Sequence, residues 1–163
     1  MSYKIVQVLE KDLDFVLSLN QNALSAVSHS TFDKMNHFLK ISSYFKILKM
    51  KKIPVGFLIG LSPKKNYASE NYKWFNKRYD SFLYIDRIVI HENYQRMGLG
   101  TILYEDLKST ALDKVPLIAC EVNIKPYNTQ SINFHKKYGF IEVGQQDTEG
   151  GRRRVSLMTY QLP

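Results

Sequence analysis

The stretch Leu83-Tyr84-Ile85-Asp86-Arg87-Ile88-Val89-Ile90, continued by His91-Glu92-Asn93-Tyr94 and then by Gln95-Arg96-Met97-Gly98-Leu99-Gly100-Thr101, decides how the chain is read. The first run is apolar and of strand length, the second is a turn, and Leu99, Leu103, Leu107 and Ala111 recur at helical spacing. Glycines at 98 and 100 carry no side chain to hold a ligand away, so backbone amides at the helix start can approach an anion closely. The helix dipole favours negative charge there, and the combination predicts a pyrophosphate seat. The plainer reading is that both glycines only relax a tight turn.

Spacing separates three phosphate-binding loops. A P-loop needs a Lys followed by Ser or Thr after its last glycine, whereas Gly100 is followed by Thr101-Ile102. A dinucleotide fingerprint needs a third glycine where Leu103 stands. What remains is Gln/Arg-x-x-Gly-x-Gly/Ala between a strand and a helix, satisfied by Gln95, Gly98 and Gly100. This resembles the acetyl-CoA loop of the GCN5-related N-acetyltransferase (GNAT) superfamily. Asn123, Asn128, Ser131 and the ending Lys136-Lys137-Tyr138-Gly139-Phe140 extend the resemblance, because they look like the strand, capped helix and aromatic-Gly-Phe signature that follows that loop. The resemblance covers Phe82 to Val143; the N-terminal half matches only as an order of elements.

Composition bounds the remaining classes. A chain of 163 residues with 23% charged and 44% hydrophobic residues suits one soluble globular domain spanning 1–163. Met1 to Glu10 lack a signal-peptide core and no apolar run approaches bilayer length, which predicts a cytoplasmic protein with no membrane partner. Cys120 is the only cysteine, so no internal disulfide forms, and with four scattered histidines no metal-ligand spacing is present. The net charge of +8 is dispersed over Lys46-Lys52, Lys64-Lys65, Lys73-Arg78, Lys136-Lys137 and Arg152-Arg154. Without a basic helix or a nucleic-acid motif, this reads as a solvated surface that partly answers an anionic cofactor, and a nucleic-acid module is the lesser alternative.

Along the chain, Tyr3 to Leu9 reads as a strand, and Asp12 as the N-cap of a helix with Leu13, Val16, Leu17 and Leu24 on one stripe. A short helix follows Ser30-Thr31, then a hairpin of Tyr44 to Met50 with Pro54 to Leu61. Ser62 to Ser81 is polar yet carries Tyr67, Tyr72, Trp74, Phe75 and Tyr79, and reads either as a flap over an acceptor pocket or as a helix over Glu70 to Lys77 packed on a sheet edge or a partner. Leu117 to Asn123 predicts a buried strand, Asn128 caps a helix ending at Gly139, and Phe140 to Val143 and Val155 to Leu162 are strands parted by the polar Gln145 to Arg154. The expected fold is α/β, with a GNAT-like mixed, mostly antiparallel sheet of about six to seven strands flanked by about four helices.

The resemblance implies acetyl transfer from acetyl-CoA to a primary amine of a small molecule or peptide, by direct attack in a ternary complex and without a metal. It assigns the pantetheine arm to the backbone of Ile88, Val89 and Ile90, and the pyrophosphate to Gln95, Arg96, Met97, Gly98, Leu99, Gly100 and Thr101. Asn123, Asn128 and Ser131 would reach the arm from the other side. An amine with a pKa of about 10 must lose a proton before attack. Glu121 stands where the ribosomal-protein N-terminal acetyltransferases of this superfamily carry their glutamate base, and Asp86 competes for the role, each against a plain ion-pair reading. Many members place a tyrosine where this chain has His135; Ser131, His135 and Tyr138 share one helical stripe, so either ring could protonate the departing thiolate. A histidine acid would make the rate fall as pH rises through about 6.5. Cys120, on the strand face opposite Glu121, is set aside as a nucleophile. The rival to a transferase is an acyl-CoA sensor without turnover, and an exposed edge strand or the aromatic segment would support a homodimer.

Overall fold

The computed structural model describes residues 2–24 and 27–163. In chain order the elements are β1 (Tyr3–Gln7), α1 (Leu13–Gln21), α2 (Phe32–Ile41), β2 (Tyr44–Met50), β3 (Ile53–Leu61), α3 (Glu70–Arg78), β4 (Leu83–Ile90), α4 (Leu99–Ala111), β5 (Leu117–Lys125), α5 (Thr129–Tyr138), β6 (Ile141–Thr148) and β7 (Arg153–Gln161). The result is the expected mixed α/β fold with a seven-stranded sheet, and α3 is the fifth helix. The chain folds as two compact units, Met1–Leu61 with Ile85–Thr110, and Ser62–Tyr84 with Ala111–Pro163.

In the first unit the strand order is β1-β2-β3-β4, with β1 and β3 antiparallel to β2. Leu99, Leu103, Leu107 and Ala111 are all buried, as their spacing predicts. α1 departs from its expected stripe: Leu13, Val16, Leu19 and Asn20 are buried, whereas Leu24 lies beyond the helix and is exposed. Asp12 does not cap α1 with its side chain; its carboxylate accepts from the Leu9 amide at 2.9 Å and stabilises the preceding turn. The phenol of Tyr44 on β2 donates to Asp106 of α4 at 2.7 Å, where Lys46 also reaches within 2.9 Å. Arg87 is the buried cation of this unit. It donates to Asp86 (2.7 Å), to the Asn20 side chain (2.9 Å) and to the Ser28 carbonyl (3.1 Å).

In the second unit the order is β4-β5-β7-β6. β5 lies parallel to the start of β4, with Leu83 opposite Ile118 and Tyr84 opposite Ala119, and it pairs antiparallel with β7. The polar Gln145 to Arg154 stretch is largely strand, contrary to its expected reading as a connection. Pairing carries it: Gln146 faces Val155, Asp147 faces Arg154 with a 2.7 Å ion pair, and only Glu149–Gly151 form the turn. Cross-strand partners on an edge make a strand without apolar alternation. The aromatic segment is a packed helix, capped where Ser69 accepts from the Tyr72 amide, with Tyr72 and Phe75 fully buried.

Gly56 marks a close approach of β3 to the end of β4. A Cβ there would lie 2.7 Å from the Val89 carbonyl oxygen and 2.8 Å from Ile90 Cδ1. Since a backbone carbonyl cannot swing aside, Gly56→Ala is expected to destabilise the protein by about 1–3 kcal/mol, read as a lower denaturant midpoint at unchanged slope.

Candidate active site

The turn that opens α4 has the backbone its glycines predict. Arg96 and Gly98 both take positive φ, +61° and +78°. The first helical bond described runs from the Ile102 amide to the Gly98 carbonyl at 3.1 Å, so the amides of Leu99, Gly100 and Thr101 precede it and point out of the helix end. A Cβ at Gly98 would meet no described atom within 4 Å, and residues 95–98 are exposed. This open, amide-lined turn fits a pyrophosphate. The Gln95 side-chain amide donates to the Ile90 carbonyl at 3.1 Å and ties the turn back to β4.

Glu121 projects from β5 as a half-buried carboxylate, and the Tyr84 phenol donates to its Oε1 at 2.5 Å. The ring of Tyr84 is fully buried, with Tyr72 and Phe75 of α3 at centroid distances of 5.3 and 5.8 Å. Cys120 is buried, and burial, reinforced by the Glu121 charge, pushes its thiol well above the usual range. It is therefore a thiol at neutral pH and a poor nucleophile.

The helix stripe resolves into distinct tasks. The Asn128 side chain accepts from the Ser131 amide at 3.1 Å and caps α5, while its own amide donates to the Asn123 carbonyl at 3.1 Å. His135 is buried, with Nδ1 2.7 Å from the Ser131 carbonyl and 3.3 Å from its hydroxyl. A carbonyl only accepts, so Nδ1 carries the proton. Burial lowers the His135 pKa, against the smaller raising effect of that hydrogen bond. The ring is accordingly neutral at neutral pH, with its Nδ1 proton held by the Ser131 carbonyl. Tyr138 is half-buried, its ring beside Phe140 and Tyr160 at 5.8 and 5.2 Å.

Asp86 lies in a buried ion pair: its side chain is 4% exposed and bound at 2.7 Å to Arg87, itself 3% exposed, as the plain ion-pair reading of this residue expects. Tyr84 is the residue that sequence reasoning did not single out. It reads as one more apolar strand residue, and its meaning rests on a register between β4 and β5 that local patterning does not carry. Among the described residues no group of three or more His, Cys, Asp or Glu could hold a metal ion, and no helix is long and apolar enough to cross a membrane.

A mixed sheet, a glycine turn opening α4 and a carboxylate strand leading into a capped helix define the class of fold. The profile of the acetyltransferase (GNAT) family matches residues 16–140, and the chain belongs to that family. Among solved structures, Ard1 from Thermoplasma volcanium is similar with a TM-score of 0.80 at 19% identity, covering 100% of this chain and 99% of that one. The ribosomal-protein-S18-alanine N-acetyltransferase from Escherichia coli gives 0.74 at 18% identity over 99% and 94%. Naa50 from Arabidopsis thaliana, solved with the bisubstrate analogue CoA-Ac-MVNAL, gives 0.74 at 18% over 99% of both. No curated protein matches the chain significantly by sequence.

The lowered pKa of His135 makes stability depend on pH. Between its folded value and the usual 6.5 the unfolded chain binds more protons, so this contribution is complete above 6.5 and is lost as pH falls below it. The loss has a slope of at most about 1.4 kcal/mol per pH unit. His135→Phe is expected to flatten it, seen by comparing denaturant midpoints at pH 7 and in mild acid.

Proposed function

We propose that the protein is an N-acetyltransferase that moves the acetyl group of acetyl-CoA to the primary amine of a peptide or small molecule within a ternary complex. The observation that carries this reading is the Glu121 carboxylate oriented by the Tyr84 phenol at 2.5 Å on the strand that leads into α5. A carboxylate held this way accepts the ammonium proton, directly or through one water, and frees the amine lone pair. Acetyl-CoA, when bound, supplies the thioester carbonyl that the amine attacks. The turn at 95–101 holds the pyrophosphate on its amides, Arg96 adds a charge beside it, and the backbone of Ile88 to Ile90 offers strand hydrogen bonds to the pantetheine arm.

For the departing thiolate, Tyr138 is the better proton donor of the two rings, because a phenol keeps its proton at neutral pH while a buried neutral imidazole with its one N–H bound to Ser131 has none to give. A peptide amine is supported by two similar structures, one an S18-alanine N-acetyltransferase and the other solved with an analogue joining CoA to a peptide.

Two measurements test this reading. Calorimetric titration with acetyl-CoA is expected to show saturable binding at one site, lost by at least tenfold in Gly98→Val. That variant costs about 1–2 kcal/mol in backbone strain and leaves the fold intact. Retained affinity would remove the pyrophosphate seat. In a thiol-release assay with peptide amines, Glu121→Gln is expected to lower turnover by about 10²–10³-fold near pH 7, and less at alkaline pH where the free amine forms unaided. Binding without turnover for every amine would make the protein a sensor.

A further inference from the structure

In the second unit the space that a side chain would take at Gly144 is filled by another residue. A Cβ at Gly144 on β6 would lie 2.6 Å from Trp74 Cζ2 and 3.1 Å from Cη2, so the indole rests directly on the strand backbone. The seat coincides with a register irregularity between Glu142 and Gly144 in the pairing of β6 with β7. The Arg78 guanidinium covers the ring at 3.8 Å from its centroid, and Arg78 also donates to the Trp74 carbonyl at 3.2 Å. Nearby, Gln146 of β6 donates to Asn71 of α3 at 2.9 Å. α3 is therefore fastened to the edge strand by a ring and an amide pair, and Arg78 braces the ring from within the helix.

The helix also packs on Tyr84 of β4. Trp74 contacts Phe75 edge-on at 5.1 Å, and Phe75 and Tyr72 flank the Tyr84 ring, whose hydroxyl holds Glu121. Tyr72 is itself pinned: its hydroxyl donates to the Ser62 carbonyl at 2.5 Å and accepts from the Lys65 amide at 2.8 Å. Tyr84 thus owes its position to a helix whose own position is set at Gly144. Packed interiors transmit such displacements because they have few voids to absorb them.

We infer that Trp74, seated on Gly144, is a positioning residue for acetyl transfer: it docks α3 so that Tyr72 and Phe75 hold the Tyr84 phenol on Glu121. The inference rests on Glu121 being the base. It gives the aromatic segment a task in catalysis while leaving the 95–101 turn untouched, so kcat and cofactor affinity should separate.

The test uses the full chain and its single tryptophan as the reporter. Gly144→Ala puts a methyl where the indole lies and is expected to shift the Trp74 emission to longer wavelength. Gly144→Ala and Trp74→Ala are each expected to lower kcat on the order of tenfold, since displacements of about 1 Å cost that or more. Acetyl-CoA affinity should stay within twofold, which also shows that each variant folds. The double variant should be no worse than Trp74→Ala alone, because the added methyl then has nothing to displace, and Trp74→Phe should recover part of the rate. Wild-type kcat in Trp74→Ala, or equal losses of kcat and cofactor affinity, would overturn the inference. Glu121→Gln assayed alongside separates the two readings: full activity there defeats the base assignment, whereas an inactive Glu121→Gln beside an active Trp74→Ala defeats the positioning role only.

Discussion

A carboxylate in the middle of a strand needs a polar partner, and the partner chosen fixes what the carboxylate can do. In the second unit that constraint is met by the Tyr84 phenol on Glu121. A phenol answers the charge with a hydrogen bond and carries no charge of its own. Much of the surrounding structure serves this contact. The phenol needs walls, Tyr72 and Phe75 supply them, and the Ser62–Ser81 segment folds into α3 to bring those walls to β4.

Asp86 shows the opposite solution two residues further along the same strand. There a guanidinium, as deeply buried as the carboxylate, balances the charge and extends to Asn20 and Ser28. Removing either member of such a pair would strand the other without a counter-charge, typically at about 3–5 kcal/mol. The two carboxylates thus differ in the group that answers their charge, a guanidinium for Asp86 and a phenol for Glu121.

The 95–101 turn depends on a different kind of constraint, set by the backbone. Positive φ at Arg96 and Gly98 turns the chain sharply enough for α4 to begin with its first amides facing outward, and glycine at 98 keeps the space before them open. Gln95 closes the turn from behind. Side-chain chemistry contributes little here, which is why a short motif specifies the shape of this segment so compactly.

Local chemistry was legible in the sequence wherever it was complete within a few residues. The glycine turn, the α4 stripe, the Asn128 cap, the Gly139 helix end and the placement of Glu121 on β5 all follow from spacing, because φ preference, capping and helical periodicity act over one or two turns. The same reasoning misread Asp12, the end of the α1 stripe and the polar half of β6, where a neighbouring strand or turn decided the outcome. It could not choose between a flap and a packed helix for 62–81, nor see that burial leaves His135 neutral, nor find Tyr84. Each of those depends on which atoms meet across a register between segments far apart in the chain. That register belongs to the folded sheet, and with it came the partner of Glu121 and the seat of Trp74 on Gly144.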